Sequence, residues 1–162
     1  MQHSKQKGNL GYSSTLKELH KLGVNVFTEI GDYSKIDLIV EYEGKLIKLQ
    51  IKYVDDKQGK AALHCTKSGP NKYKYKYTES DVDIFSVYLP TVDKVLFIPA
   101  KEALKTNTFT LRVEKSKNNQ NKNVHYIDEY SDLAGILRDF TLGISKRDDD
   151  KVQTTTVTAS EN

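Results

Sequence analysis

Residues 45–53 read KLIKLQIKY, nine positions that alternate in character. One face carries Leu46, Lys48, Gln50 and Lys52; the other carries Ile47, Leu49, Ile51 and Tyr53. A period of two sustained over this length fits an extended strand and no helix. IDLIV at 36–40 precedes it across the short turn EYEG at 41–44, so the two segments pair as antiparallel neighbours. VNVFTEI at 24–30 alternates as well, and Gly31-Asp32-Tyr33-Ser34 turns it toward 36–40. The result is a three-stranded meander. Ahead of it lies a helix with Tyr12, Leu16, Leu19 and Leu22 on one face, closed by Lys21 and Gly23.

Beyond the meander, DDKQGK and KSGP mark turns within 55–70. In NKYKYKYT at 71–78, Lys72, Lys74 and Lys76 fall on one side and Tyr73, Tyr75 and Tyr77 on the other. This segment reads as an edge strand or an extended arm. Its lysines serve equally well to guard an edge against aggregation or to meet nucleic acid. VDIFSVYLP (82–90) and KVLFIPA (94–100) form two further apolar strands, KEALK a short helix and TFTLRV (108–113) another strand. KSKNNQNKN at 115–123 is an amide-rich loop, and 128–140 places Tyr130, Leu133, Ile136, Leu137 and Phe140 at helical spacing. The pattern is helix, strands, then a terminal helix, and the expected class is α/β of the α+β kind with one sheet. One domain over 10–144 is expected, with a flexible segment at 1–9 and a disordered tail at 145–162 that has little to bury.

A chain of 162 residues is long enough for one sizeable core. No run approaches the roughly 18 apolar residues of a membrane helix, so no membrane partner is expected. The start, MQHSKQKGNLGY, has no apolar stretch followed by small residues, and Cys65 is the only cysteine; a cytoplasmic, reducing setting is expected. Net charge is only +3, but residues 45–78 hold nine lysines against two acids, Asp55 and Asp56. That surface fits a solvated face or one turned toward phosphates. With only Arg112, Arg138 and Arg147, bidentate base contacts are few.

Asp37 stands within an otherwise apolar strand, and a carboxylate there needs a partner or a cation. The hairpin brings it near Gln50 and Lys52. Two outcomes fit. In one, Asp37 forms an ion pair with Lys48 or Lys52 and nothing reacts. In the other, the Asp37 carboxylate, the Gln50 amide oxygen and the Ile51 carbonyl offer oxygens to a hard divalent ion such as Mg2+. Lys52 would then hold a phosphate or the attacking water. A neutral Gln leaves one negative charge fewer, so weaker ion binding without substrate is expected.

The succession KGNLGY, a short helix, IGDYSKIDLIV and EYEGKLIKLQIK resembles the PD-(D/E)XK nucleases, and within them the group I intron-associated homing endonuclease branch. The likeness continues through DVDIFSVYLPTVDKVLFIPAKEA and LRVEKSKNNQNKNVHYIDEY. In that branch the second motif often reads Gln-x-Lys, as Gln50-Ile51-Lys52 does. The resemblance implies a restriction-endonuclease-like core, a central mixed sheet flanked by helices, and hydrolysis of DNA phosphodiesters with Mg2+, or Mn2+ in its place. It implies Asp37 as the metal-binding acid, Gln50 at the second-acid position and Lys52 as the catalytic lysine. Relatives commonly place a Glu just after the Leu-Gly pair of the first helix; Tyr12 stands there, and Glu18 is the candidate acid on the same helix to replace it. Asp32 would support the site from the turn, or simply cap it. Lys48, Lys67, Lys72, Lys74, Lys76 and, in the amide-rich loop, Asn118, Asn119 and Gln120 are the candidate DNA contacts.

The expectation is thus a metal-dependent endonuclease on double-stranded DNA, acting as a homodimer or homotetramer because cutting two strands takes two sites. A catalytically silent DNA-binding module and a Holliday-junction resolvase are the alternatives. His64-Cys65 lacks a second ligand pair for zinc. His20 and His125 show no triad partners, and KSGPNK lacks the glycines of a phosphate loop. Ser13-Ser14-Thr15 fits a helix start.

Overall fold

The computed structural model describes residues 3–31, 33–69, 73–114 and 124–144. The tail expected at 145–162 lies outside them. Helix α1 (Ser4–Lys21) leads into strands β1 (Asn25–Phe27), β2 (Leu38–Tyr42) and β3 (Lys45–Tyr53). Then come β4 (Asp56–Lys57), β5 (Lys60–His64), β6 (Thr66–Ser68) and β7 (Lys74–Lys76). β8 (Ile84–Leu89), β9 (Lys94–Pro99), a short α2 (Ala100–Ala103) and β10 (Thr108–Arg112) follow. β11 (His125–Tyr126), a 3-10 turn (Ile127–Tyr130) and α3 (Leu133–Leu142) complete the described chain.

The main sheet has the order β1-β2-β3-β8-β9. All its pairs are antiparallel except β3 with β8. The sheet is therefore mixed, as expected. The β2–β3 hairpin is tight because Glu43 and Gly44 both take positive φ, 48° and 76°, which two-residue turns between twisted strands require. A parallel pair cannot be joined by a hairpin and needs a long crossover. Residues 54–83 supply it, and within them the chain builds two smaller pieces. One is β4 and β5, which join β10 and β11 in a second sheet; the other is the β6–β7 ribbon. The turn signals of 55–70 hide β4, β5 and β6, because each is short and Gly- or Ser-flanked.

The core lies on both sides of the main sheet, with Leu38, Val40, Ile47, Leu49, Ile84, Phe85, Phe97 and Ile98 almost fully buried. Helix α1 packs on β3 and β8. Gly11 is the point of close approach: a Cβ there would touch Ile51 and Tyr53 at 3.6 Å. One turn on, the buried Thr15 and Ser86 hydroxyls share a hydrogen bond of 2.8 Å. The helix starts at Ser4, well before the flexible stretch expected over 1–9 ends. Two contacts extend it: the His3 N–H donates to Gln6 Oε1 (2.9 Å), and Lys7 pairs with Asp55. Ser13, Ser14 and Thr15 accordingly sit mid-helix rather than at its start; Ser13 Oγ donates to the Asn9 carbonyl at 2.8 Å. At the other end, Asp132 caps α3 by accepting from Gly135 N at 3.0 Å.

Candidate active site

Asp37 immediately precedes β2. Its N–H donates to the Leu49 carbonyl (2.9 Å), so the ladder runs one residue past the strand and sets Asp37 opposite Gln50. The Ile51 N–H then has no backbone partner from β2, and Asp37 Oδ2 accepts it at 2.7 Å. The same oxygen accepts from Gln50 Nε2 at 2.5 Å. That nitrogen also donates to the Ile51 carbonyl at 3.3 Å.

Gln50 is 8% exposed, and its Oε1 is buried with no hydrogen-bond partner among the described residues. An unpaired buried acceptor costs about 1–3 kcal/mol. The amide therefore places its positive end between two oxygens and leaves its own oxygen unsatisfied. Two oxygens converging on one point, with a third available if the amide turns over, fit the donor chemistry of a hard divalent cation. Among the described residues no group of three His, Cys, Asp or Glu gathers for a metal. A cation here would rely on one carboxylate and two neutral oxygens.

Lys52 follows on the same face of β3. Its Nζ donates to the Thr66 carbonyl (3.3 Å) and lies 4.9 Å from the centroid of the Tyr77 ring. Burial pushes the Lys52 ammonium below the ordinary lysine range; Asp37 pulls the other way, and Lys67 adds to the depression. Lys67 Nζ donates to the Ser34 carbonyl at 3.0 Å, tying the β6–β7 ribbon to the turn before Asp37. Tyr12 also belongs to this neighbourhood. Its phenol is held above its usual pKa by burial and then by the Asp37 charge, so the position after Leu10-Gly11 lies within electrostatic reach of the Asp37 carboxylate. Tyr77 is shifted upward by burial first, with Asp37 and Asp81 adding to it.

Asp37, Gln50, Ile51 and Lys52 thus come together. Glu18 does not join them. It accepts from Lys21 Nζ at 2.9 Å, and six residues of helix set it about 9 Å along the axis from Tyr12. Lys48 sends its ammonium to the Ser80 carbonyl (2.6 Å), away from Asp37, and its N–H to Asp83 Oδ2. Lys74 and Lys76 are exposed on β7. Asp32, Lys72, Asn118, Asn119 and Gln120 lie outside the described residues.

Of the histidines, His125 does have partners: Tyr130 Oη donates to Glu102 Oε1 at 2.7 Å and lies 3.1 Å from His125 Nδ1. That cluster ties α2 to the segment before α3, apart from Asp37. Cys65 is buried, and its thiol donates toward the Ala103 carbonyl. Tyr77 is the neighbour that sequence reasoning missed. The KYKYKY alternation offers three equivalent tyrosines at 73, 75 and 77, and nothing local in the sequence singles out the third.

The model of the PD-(D/E)XK endonuclease family matches residues 2–133. Among solved structures, a bacterial homing endonuclease, I-Ssp6803I, is similar in fold, with a TM-score of 0.68 at 18% identity. The match covers 96% of this chain and 100% of that one. No curated protein sequence matches. With a restriction-endonuclease-like mixed sheet and most of its length matched by the family model, the chain belongs to the PD-(D/E)XK endonucleases.

Proposed function

We propose that the chain is a Mg2+-dependent DNA endonuclease of the homing type, with Asp37, Gln50 and Lys52 as its catalytic set. One observation carries this reading: Gln50 Nε2 sits between Asp37 Oδ2 and the Ile51 carbonyl, with its own oxygen unpartnered and Lys52 two residues on. Asp37 Oδ2, Gln50 Oε1 and the Ile51 carbonyl would hold the ion. When bound, such an ion polarises the phosphoryl oxygens and makes a nucleophile of water near neutral pH. Lys52 supplies a positive charge to the phosphate or orients the attacking water. Its partial burial keeps bulk water from screening that charge. A single carboxylate gives weak ion binding until the substrate phosphate adds its own oxygens. Lys48, Lys67, Lys72, Lys74 and Lys76 contribute phosphate contacts, each steepening the salt dependence of binding. Two strands require two such sites, hence a homodimer or homotetramer.

The test is cleavage of supercoiled plasmid carrying a randomised target library, with Mg2+, Mn2+ or EDTA. Metal-dependent nicking or linearisation is expected, and it is lost in Asp37→Ala and Lys52→Ala. A second reading is favoured by Tyr12, which stands within electrostatic reach of Asp37 at the position where relatives commonly carry an acid: a DNA-binding module that no longer cuts. Salt-sensitive binding without cleavage under any metal would establish that reading and overturn the first.

A further inference from the structure

We infer that Tyr77 is a positioning residue of this site, its ring face seating the Lys52 ammonium. The inference rests on the nuclease reading for its catalytic consequence, but the seating itself does not.

Tyr77 lies just past β7, and its N–H donates to the Cys65 carbonyl (3.1 Å), one residue beyond the Thr66–Lys76 pair. The ribbon therefore carries it inward. Tyr73 and Tyr75, four and two residues earlier, stay 63% and 45% exposed and meet each other edge to face, whereas Tyr77 is 2% exposed. Its ring meets Phe85 edge-on at 5.5 Å and 83°. Phe85 is the register partner of Gln50 across β3 and β8. The ring is thus wedged between ribbon and sheet, beside the residues that surround Asp37. Lys52 Nζ lies 4.9 Å from its centroid, inside the range of about 6 Å over which a ring attracts a cation.

A lysine side chain is flexible, and an ammonium that acts on a phosphate must be held in place. A carboxylate would hold it, but would also neutralise it and compete with the phosphate. A ring face attracts the ammonium and leaves its full charge available. The Thr66 carbonyl, from the same ribbon, fixes one N–H in the same way. Ribbon and ring together define where the charge sits. The Tyr77 hydroxyl has no hydrogen-bond partner among the described residues, so the seat needs the ring and not the oxygen.

The experiment compares Tyr77→Phe with Tyr77→Leu in the full chain. Protons on the Lys52 ε-carbon, assigned by their disappearance in Lys52→Met, are expected upfield in the wild type because a ring face shields what lies over it. Tyr77→Leu abolishes that shift and Tyr77→Phe restores it. On plasmid the wild type cuts, Tyr77→Leu is expected to lower kcat about a hundredfold with KM little changed, and Tyr77→Phe rescues it. Thermal melts report whether each variant is folded. An unshifted Lys52 resonance in the folded wild type overturns the inference. So does a Tyr77→Phe variant as slow as Tyr77→Leu, or a folded Tyr77→Leu with unchanged kcat. If the wild type cuts no DNA yet the shift behaves as expected, the seat stands and it is the nuclease reading that fails.

Discussion

Replacing Gln50 by a glutamate tests the electrostatics of the site directly. In the wild type the amide gives Asp37 Oδ2 a donor at 2.5 Å. In Gln50→Glu the introduced carboxylate would face that oxygen with a second acceptor. If both carboxylates stay ionised and relax to about 4 Å, their repulsion is about 4 kcal/mol at an effective dielectric of about 20. The chain can instead keep one proton between them. At neutral pH that costs about 3.7 kcal/mol, being about 2.7 pH units above the ordinary glutamate value at about 1.36 kcal/mol each. The two routes agree, so a loss of about 3–4 kcal/mol is expected at about pH 7.

The shared proton raises the pair's pKa in the folded state. The variant is therefore at its most stable below the ordinary carboxylate range and weakens as pH climbs toward the raised value, by about 1.4 kcal/mol per unit. A divalent ion held at the proposed site would replace the proton, and at about a hundred times its dissociation constant would return about 2.7 kcal/mol. Urea unfolding of both proteins, in mildly acid and neutral buffers, with EDTA and with Mg2+, measures each quantity. A deficit that ignores both pH and Mg2+ would refute the placement of Gln50 against Asp37.

Three further perturbations address the frame. Thr15→Val and Ser86→Ala each strand a buried hydroxyl and are expected to cost about 1–3 kcal/mol; the double variant recovers part of it, and a zero coupling energy in the denaturation cycle would contradict the bond between α1 and β8. Lys52→Met removes an ammonium whose pKa burial depresses. It should unfold at or above the wild-type temperature in neutral buffer while losing cleavage, and the advantage should shrink as pH rises through the unfolded lysine pKa, above which neither state carries the charge. Asp81 accepts from Thr78 N, Thr78 Oγ1 and Lys35 Nζ; burial opposes its ionisation, but the bonds from Lys35 and Thr78 outweigh it, leaving its pKa depressed. Asp81→Asn should therefore cost about 1.5–3 kcal/mol at neutral pH, a difference that thermal melts should show vanishing as pH falls through the depressed Asp81 value.

Asp37, Gln50 and Lys52 are legible in the sequence because a hairpin is local. Two alternating runs and a four-residue gap define which side chains face each other. The helix at 133–142 and the strands at 84–89 and 94–99 are legible for the same reason, since each has its own periodicity. What stays hidden depends on distant partners. The parallel pairing of β3 with β8 leaves no local trace, and Ala61, Leu63 and Cys65 look like loop residues until β10 is set beside them. Glu18 illustrates the converse. Its residue type suits a metal site, but helix geometry sets it about a turn and a half beyond Tyr12 and into a pair with Lys21. Tyr77 is chosen over Tyr73 and Tyr75 only by where the crossover lands.

The long connection between β3 and β8 also orders events in time. Asp37, Gln50 and the Ile51 carbonyl belong to one hairpin, whose contacts span few residues and form early in folding. The place of the Lys52 ammonium is set by Thr66 and Tyr77, which reach it only after the intervening excursion, 54–83, has closed onto the sheet. Loop closure of that kind is the slow step in a mixed sheet. A chain still emerging or half-folded would bring Asp37 and Gln50 together without a seated lysine and, on the proposed nuclease reading, cutting would wait until that excursion had docked.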